Sequence, residues 1–154
     1  MTTIEPIELT VLTSTERAAV WIVLTDPTRL AEWFTQATEA GPAGAPYRLD
    51  FGAGSVVVGT IREHDPGRLL AYSWAWADQA PEAATLVTWT VAADPAGGTR
   101  IVLTHAGWTE AGLDEAARED HRTYWEGYLG DLVALLDADR SSDRAHRSDL
   151  PPSR

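Results

Sequence analysis

The amino-acid pattern predicts an α+β fold in which an antiparallel, curved, six-stranded sheet wraps around a long C-terminal helix, with two short helices after the first strand. Three observations carry this reading. The apolar period changes from two to helical and back along the chain, turn signals divide the middle into five strands, and the last apolar stripe is long enough to cover a sheet. The chain of 154 residues has the size of one domain. Residues 1–138 read as that domain, and 139–154, almost without apolar side chains, read as a disordered tail.

Each element has its own signal. Ile7, Leu9 and Val11 alternate with Glu8 and Thr10, as a half-buried strand requires. The spacing Thr13 to Glu16 matches a capping box, which would open a helix carried by Ala18, Ala19, Trp21, Ile22 and Val23. Asp26-Pro27 stops that helix and starts a second, with Asp26 as cap and Pro27 in the first turn, where its missing N–H costs nothing. After the Gly41-Pro42-Ala43-Gly44 loop, Tyr47, Leu49 and Phe51 begin a series of strands. It continues through 55–63, through Leu70, Tyr72, Trp74 and Trp76, through Val87, Trp89 and Val91, and ends with Ile101, Leu103 and His105. Asp65-Pro66-Gly67 and Asp94-Pro95-Ala96-Gly97-Gly98 supply the turns. From Leu113 the period is helical again, through Ala117, His121, Tyr124, Trp125, Tyr128, Leu132, Leu135 and Leu136, a helix of roughly 25 residues that can cross a sheet.

Composition excludes several classes of function. A net charge of −11 leaves little to replace the counterions of nucleic acid, and an anionic membrane would repel the chain. Without cysteine there is no disulfide, thiolate metal site or cysteine nucleophile; with no lysine there is no Schiff base and no P-loop. No G-x-S-x-G elbow or phosphate-binding glycine loop occurs. No stretch approaches the ~18 apolar residues of a membrane span, and residues 1–6 lack a signal sequence, so a cytoplasmic protein is expected.

Several segments then match one another's order in a known group: Arg17-Ala18-Ala19-Val20-Trp21, Leu24-Thr25-Asp26-Pro27, Leu30-Ala31-Glu32-Trp33-Phe34, Gly59-Thr60-Ile61-Arg62-Glu63, Pro66-Gly67-Arg68-Leu69-Leu70-Ala71-Tyr72-Ser73-Trp74, Gly98-Thr99-Arg100-Ile101-Val102-Leu103-Thr104-His105 and Trp125-Glu126-Gly127-Tyr128-Leu129-Gly130-Asp131-Leu132. Over residues 5–138 the chain resembles the START-like helix-grip superfamily, SRPBCC, and within it the AHSA-like branch, named after the activator of the heat-shock chaperone ATPase. The resemblance implies a cavity between sheet and C-terminal helix that takes up hydrophobic ligands, and in some members cyclase chemistry. The chaperone activator itself has a further N-terminal domain, so a chaperone partner is not expected here.

Seven tryptophans, four of them at Trp74, Trp76, Trp89 and Trp108, direct attention to such a cavity, because indole is costly to expose and bulky to bury. Tyr72, Trp74, Trp76 and Trp89 either stack on a flat ligand or fill the space under the helix. Trp33, Phe34 and Trp108 lie in or beside loops and suggest a cavity mouth or an oligomer contact. His105 either serves a ligand or is a core histidine bonded to its neighbours. His121, Trp125 and Tyr128 present the helix side of the same space. His105 and His121 with Glu63 would make a metal site only against the spacing, so neither metal nor cofactor is expected. Arg48 and Arg122 are read as solvated ion pairs rather than ligand anchors.

The first functional expectation is thus a binding protein for a small apolar or aromatic molecule. The alternatives are a polyketide cyclase- or dehydratase-like enzyme in which His105 or Tyr72 moves a proton, and a chaperone-interacting module without ligand. Aromatic loops and a spare edge strand make a homodimer reasonable.

Overall fold

A computed structural model describes residues 3–149. The first strand, β1 (Ile7–Thr13), is followed by helices α1 (Arg17–Thr25) and α2 (Pro27–Trp33). Then come strands β2 (Gln36–Ala37), β3 (Pro46–Asp50), β4 (Val56–Asp65), β5 (Leu69–Trp76), β6 (Thr85–Ala93) and β7 (Thr99–Ala106), and the chain closes with helix α3 (Glu115–Asp149). All strand pairs are antiparallel, and the spatial order is β1-β7-β6-β5-β4-β3-β2. The result is a curved half-barrel with α3 in its grip, the α+β architecture that the pattern predicts.

The sheet has seven strands where six were expected. The additional one, β2, is only two residues long and pairs Gln36 with Asp50 and Ala37 with Leu49. Two residues are too few to show a period, so the pairing leaves no trace in the pattern. The first strand adds to the edge beside the last, with Ile7 opposite His105 and Thr13 opposite Thr99.

That last pair removes the anticipated capping box. Thr13 belongs to β1, and its hydroxyl oxygen accepts from the Thr15 amide at 3.2 Å. Glu16 is the N-cap of α1, with no hydrogen bond from its side chain. The cap of α2 is as expected: Asp26 accepts from the Thr28 amide at 3.1 Å, ahead of Pro27.

Helix α3 also departs from the expectation. It continues past Ala138 to Asp149, so the segment from 139 to 149 is helical, while 150–154 of the expected tail lie outside the described residues. No glycine or proline lies between Ala138 and Pro151, and a polar stretch can extend a helix that packing has already nucleated. Asp139 forms an ion pair with Arg29 of α2.

The buried stripe Trp125, Leu129, Leu132 and Leu136 keeps α3 in the sheet's concave face. Each such leucine contributes roughly 1.5–3 kcal/mol through burial. The other end of the helix is tied down by Arg118, whose guanidinium donates to the carbonyls of Glu5 at 2.6 Å and Pro6 at 3.2 Å, just before β1. At the opposite side of the sheet, β4 and β5 approach so closely that a Cβ on Gly59 would lie 2.0 Å from the Ser73 carbonyl oxygen. Glycine is therefore required there, and the Tyr47 hydroxyl donates to that same carbonyl.

Candidate functional site

Between α3 and the β3–β5 side of the sheet lies a cavity of about 510 Å³, a size typical of small-molecule sites. Its sheet wall carries Phe51 from the end of β3, then Trp74 and Trp76 from β5. Its helix wall carries His121, Tyr124, Trp125 and Tyr128, and Phe34, the residue that ends α2, fills one end. Helical spacing puts 121, 124, 125 and 128 on one face, and strand alternation puts 74 and 76 on one face. The rings form a continuous lining: Phe34 stacks on Trp125 at 5.4 Å and meets Tyr128 edge-on at 4.9 Å, while Phe51 touches Trp76 at 5.8 Å between centroids.

The sequence-predicted residues separate into three sets. Phe34, Trp74, Trp76, His121, Trp125 and Tyr128 line this cavity. Trp33, Tyr72 and Trp89 lie behind Phe34, around a separate void of about 20 Å³, little more than one water. His105 and Trp108 line neither space and are fully buried. Trp108 thus corrects the expectation of an exposed loop aromatic: its indole donates to the His105 carbonyl at 2.9 Å and packs on the His105 ring at 4.3 Å. Trp33 is likewise buried, its indole donating to the Val23 carbonyl at 2.9 Å.

Both candidate proton carriers are engaged elsewhere. The Trp125 indole, which can only donate, gives its N–H to His105 Nδ1 at 2.9 Å. A neutral His105 therefore carries its proton on Nε2 and donates it to the Thr85 hydroxyl at 2.6 Å, which in turn donates to the Trp74 carbonyl at 3.3 Å. Burial holds the His105 pKa well below the ordinary histidine value, and the nearby His121 lowers it further. The Tyr72 hydroxyl accepts from the Trp89 indole at 3.0 Å, and burial raises its pKa.

His121 stands 5.3 Å from His105 between ring centroids, so the two histidines do meet, but neither offers a free nitrogen. Its Nδ1 donates to the Ala117 carbonyl at 2.7 Å, and its Nε2 accepts from the Trp76 indole at 3.2 Å. Burial lowers its pKa, opposed by the Ala117 hydrogen bond and by Asp120. Glu63, imagined with them in a metal site, is exposed, because a bulge between Ile61 and Glu63 shifts the register of β4 against β5. Among the described residues no group of three His, Asp or Glu side chains could hold a metal ion. Arg48 lies 3.9 Å from Asp50, and Arg122 donates to Glu126 at 2.9 Å; neither lines the cavity.

Residue-level reading of the sequence missed Phe51, Tyr124 and the polar rim of Ser55, Asp78, Gln79 and Asp120. Phe51 continues the alternation of Tyr47 and Leu49, and Tyr124 precedes Trp125 on the helix, so a signal existed for both. For the rim there was none, since Ser55, Asp78 and Gln79 lie in turns without a period and Asp120 reads as one more polar residue of an amphipathic helix. One further detail concerns the wall itself. Trp74 Nε1 is the buried side-chain nitrogen that finds no hydrogen-bond partner among the described residues.

The architecture and the aromatic space define an α+β helix-grip domain that encloses a cavity between its sheet and its C-terminal helix. Residues 14–137 match the family described as Activator of Hsp90 ATPase homolog 1-like protein, and the chain belongs to that family. Solved structures share the fold. Protein MLL2253 from Mesorhizobium loti is 22% identical, with a TM-score of 0.77 over 87% of this chain and 98% of the other. DynU16, a protein of the dynemicin biosynthetic locus, is 23% identical with a TM-score of 0.76 over 86% of this chain, which spans 47% of DynU16. The Aha1 dimer from Colwellia psychrerythraea is 20% identical, with a TM-score of 0.71 over 86% of this chain and 96% of the other. No curated protein sequence matches the chain.

Proposed function

We propose that this protein binds a small apolar or aromatic molecule in the cavity between sheet and C-terminal helix. The observation that carries the reading is the roughly 510 Å³ opening walled by Phe34, Phe51, Trp74, Trp76, Trp125 and Tyr128, beside a core that is otherwise filled. Binding without catalysis is favoured because the proton carriers of a cyclase-like mechanism, His105 and Tyr72, are bonded to other side chains behind the cavity wall. A module that only docks onto another protein needs no such opening.

An aromatic wall supports stacking with a flat ligand, at about 0.5–1.5 kcal/mol per ring pair beyond area burial. No helix among the described residues is long and apolar enough to cross a membrane. A homodimer is supported by the unpaired outer edge of β1, where Leu12 is exposed, and by the dimeric state of the Colwellia structure.

The test is occupancy. Native mass spectrometry after gentle purification, followed by calorimetry with a panel of naphthalene, indole and medium-chain acyl compounds, is expected to reveal binding. Ala117 lines the cavity, so Ala117→Trp fills it from the helix side and should abolish binding while the circular dichroism of the fold persists. Undiminished binding by the filled variant would move the site elsewhere.

A further inference from the structure

We infer that the ligand of this cavity is a cation: an ammonium or comparable positive group on an aromatic or apolar body. The inference rests on the binding reading above and adds the charge of the ligand. Two carboxylate residues border the opening, Asp78 from the turn that follows β5 and Asp120 from the first half of α3. One comes from the sheet side and the other from the helix side of the same cavity.

Neither carboxylate is neutralised by an arginine among the described residues. Arg118, beside Asp120 on the helix, is directed to the Glu5 and Pro6 carbonyls and to Glu119, and Arg122 to Glu126. The cavity lining contains no arginine at all, and its histidine, His121, has both ring nitrogens occupied in the neutral form. A ligand carboxylate would therefore meet two like charges and no guanidinium. The surrounding field of a chain with net charge −11 acts in the same direction.

The aromatic walls suit the same chemistry. Trp76, Tyr124 and Tyr128 border the opening together with the carboxylates, and ring faces attract ammonium groups that come within ~6 Å. Independently of the charges, the Trp74 indole on this wall has an N–H without an acceptor among the described residues. Trp74 is 5% exposed and this nitrogen is closed off from the cavity, so the unpaired N–H belongs to the packed wall and the ligand meets the rest of the indole. A cationic head at the rim and an apolar or aromatic body against the ring walls describe an amine or quaternary ammonium compound.

Three probes with one body and three charges separate the possibilities: 1-naphthylmethylammonium, 1-naphthylmethanol and 1-naphthoate, titrated calorimetrically into the full chain. The ammonium is expected to bind about 10-fold tighter than the alcohol at low salt, in keeping with two partly solvated ion pairs, and the carboxylate weakest. Asp78→Asn with Asp120→Asn should erase the preference and leave the alcohol's Kd within about twofold, since both side chains are exposed and their loss spares the fold. Equal affinities, a preference for the carboxylate, or an ammonium preference that survives the double substitution would overturn the charge inference while the cavity reading stands. Failure of all three probes to bind would overturn both.

Discussion

At the scale of single residues, the informative groups are two histidines, His105 and His121, whose ring nitrogens are all engaged within the protein. His105 is fully buried with both nitrogens bonded, one as acceptor and one as donor, so only its neutral form fits. Its folded-state pKa lies below the unfolded value near 6.5. Its stabilising contribution is therefore complete above pH 6.5 and is lost as pH falls from there toward the folded value, because the unfolded chain takes up the proton first. Urea denaturation between pH 7.5 and 5 should show stability falling by up to about 1.4 kcal/mol per pH unit from this one group. His105→Gln should flatten that slope even though its absolute stability is lower. An unchanged slope would mean that the acid sensitivity originates elsewhere.

The same residues show how far the sequence is legible. The alternation of Ile101, Leu103 and His105 correctly places the imidazole inward, and the pattern allows a bonded core histidine. What it cannot supply is the partner, because Trp125 Nε1 and Thr85 Oγ1 reach His105 from 20 residues away in either direction along the chain. Trp108 illustrates the converse. A loop position suggests exposure, but an indole that can cover a buried ring and bond a free carbonyl is drawn inward.

At the scale of elements, the end of α2 decides what the cavity can hold. Phe34 caps that helix and borders both the large space and the small void behind it, so its ring partitions the interior. Phe34→Ala is expected to join the two spaces and to let longer acyl or polycyclic probes bind that the parent chain rejects. Stability should fall by about 2–4 kcal/mol, below the full cost of a buried Phe because this ring is half-buried. Affinity for long probes measured by calorimetry, set against the denaturation midpoint, separates the two effects. Local pattern revealed the helix and its Asp26 cap, yet not this role, since a partition is a relation between three elements. The two-residue β2 and the bulge in β4 were hidden for the same reason: pairing partners, not periods, create them.

Considered as a whole, the molecule is a sheet closed around one helix, and the grip is asymmetric. Beyond the cavity, Leu129, Leu132 and Leu136 are packed tightly, while the segment from Ala117 to Tyr128 borders open space. Ligand binding should therefore stabilise the entire fold by linkage, by about 2.7 kcal/mol at a concentration 100 times Kd. For a domain of this size that corresponds to a rise in Tm of roughly 5–10 °C. A calorimetric scan that shows no rise at that concentration would mean that the compound does not bind the folded chain in preference to the unfolded one. The overall architecture was the most legible level, because period, turn chemistry and a long apolar stripe all specify it together.

The packing of so many indoles has an optical consequence. Trp74 lies 5.3 Å from Trp125 at 51° and 5.9 Å from Trp76 at 86°, separations at which electronic transitions on neighbouring chromophores mix. The near-ultraviolet circular dichroism should hence contain paired bands of opposite sign whose shape belongs to the ring assembly rather than to any one ring. A guest that tilts a single member would redraw the entire couplet, which makes the native chromophores a label-free gauge of what the interior contains.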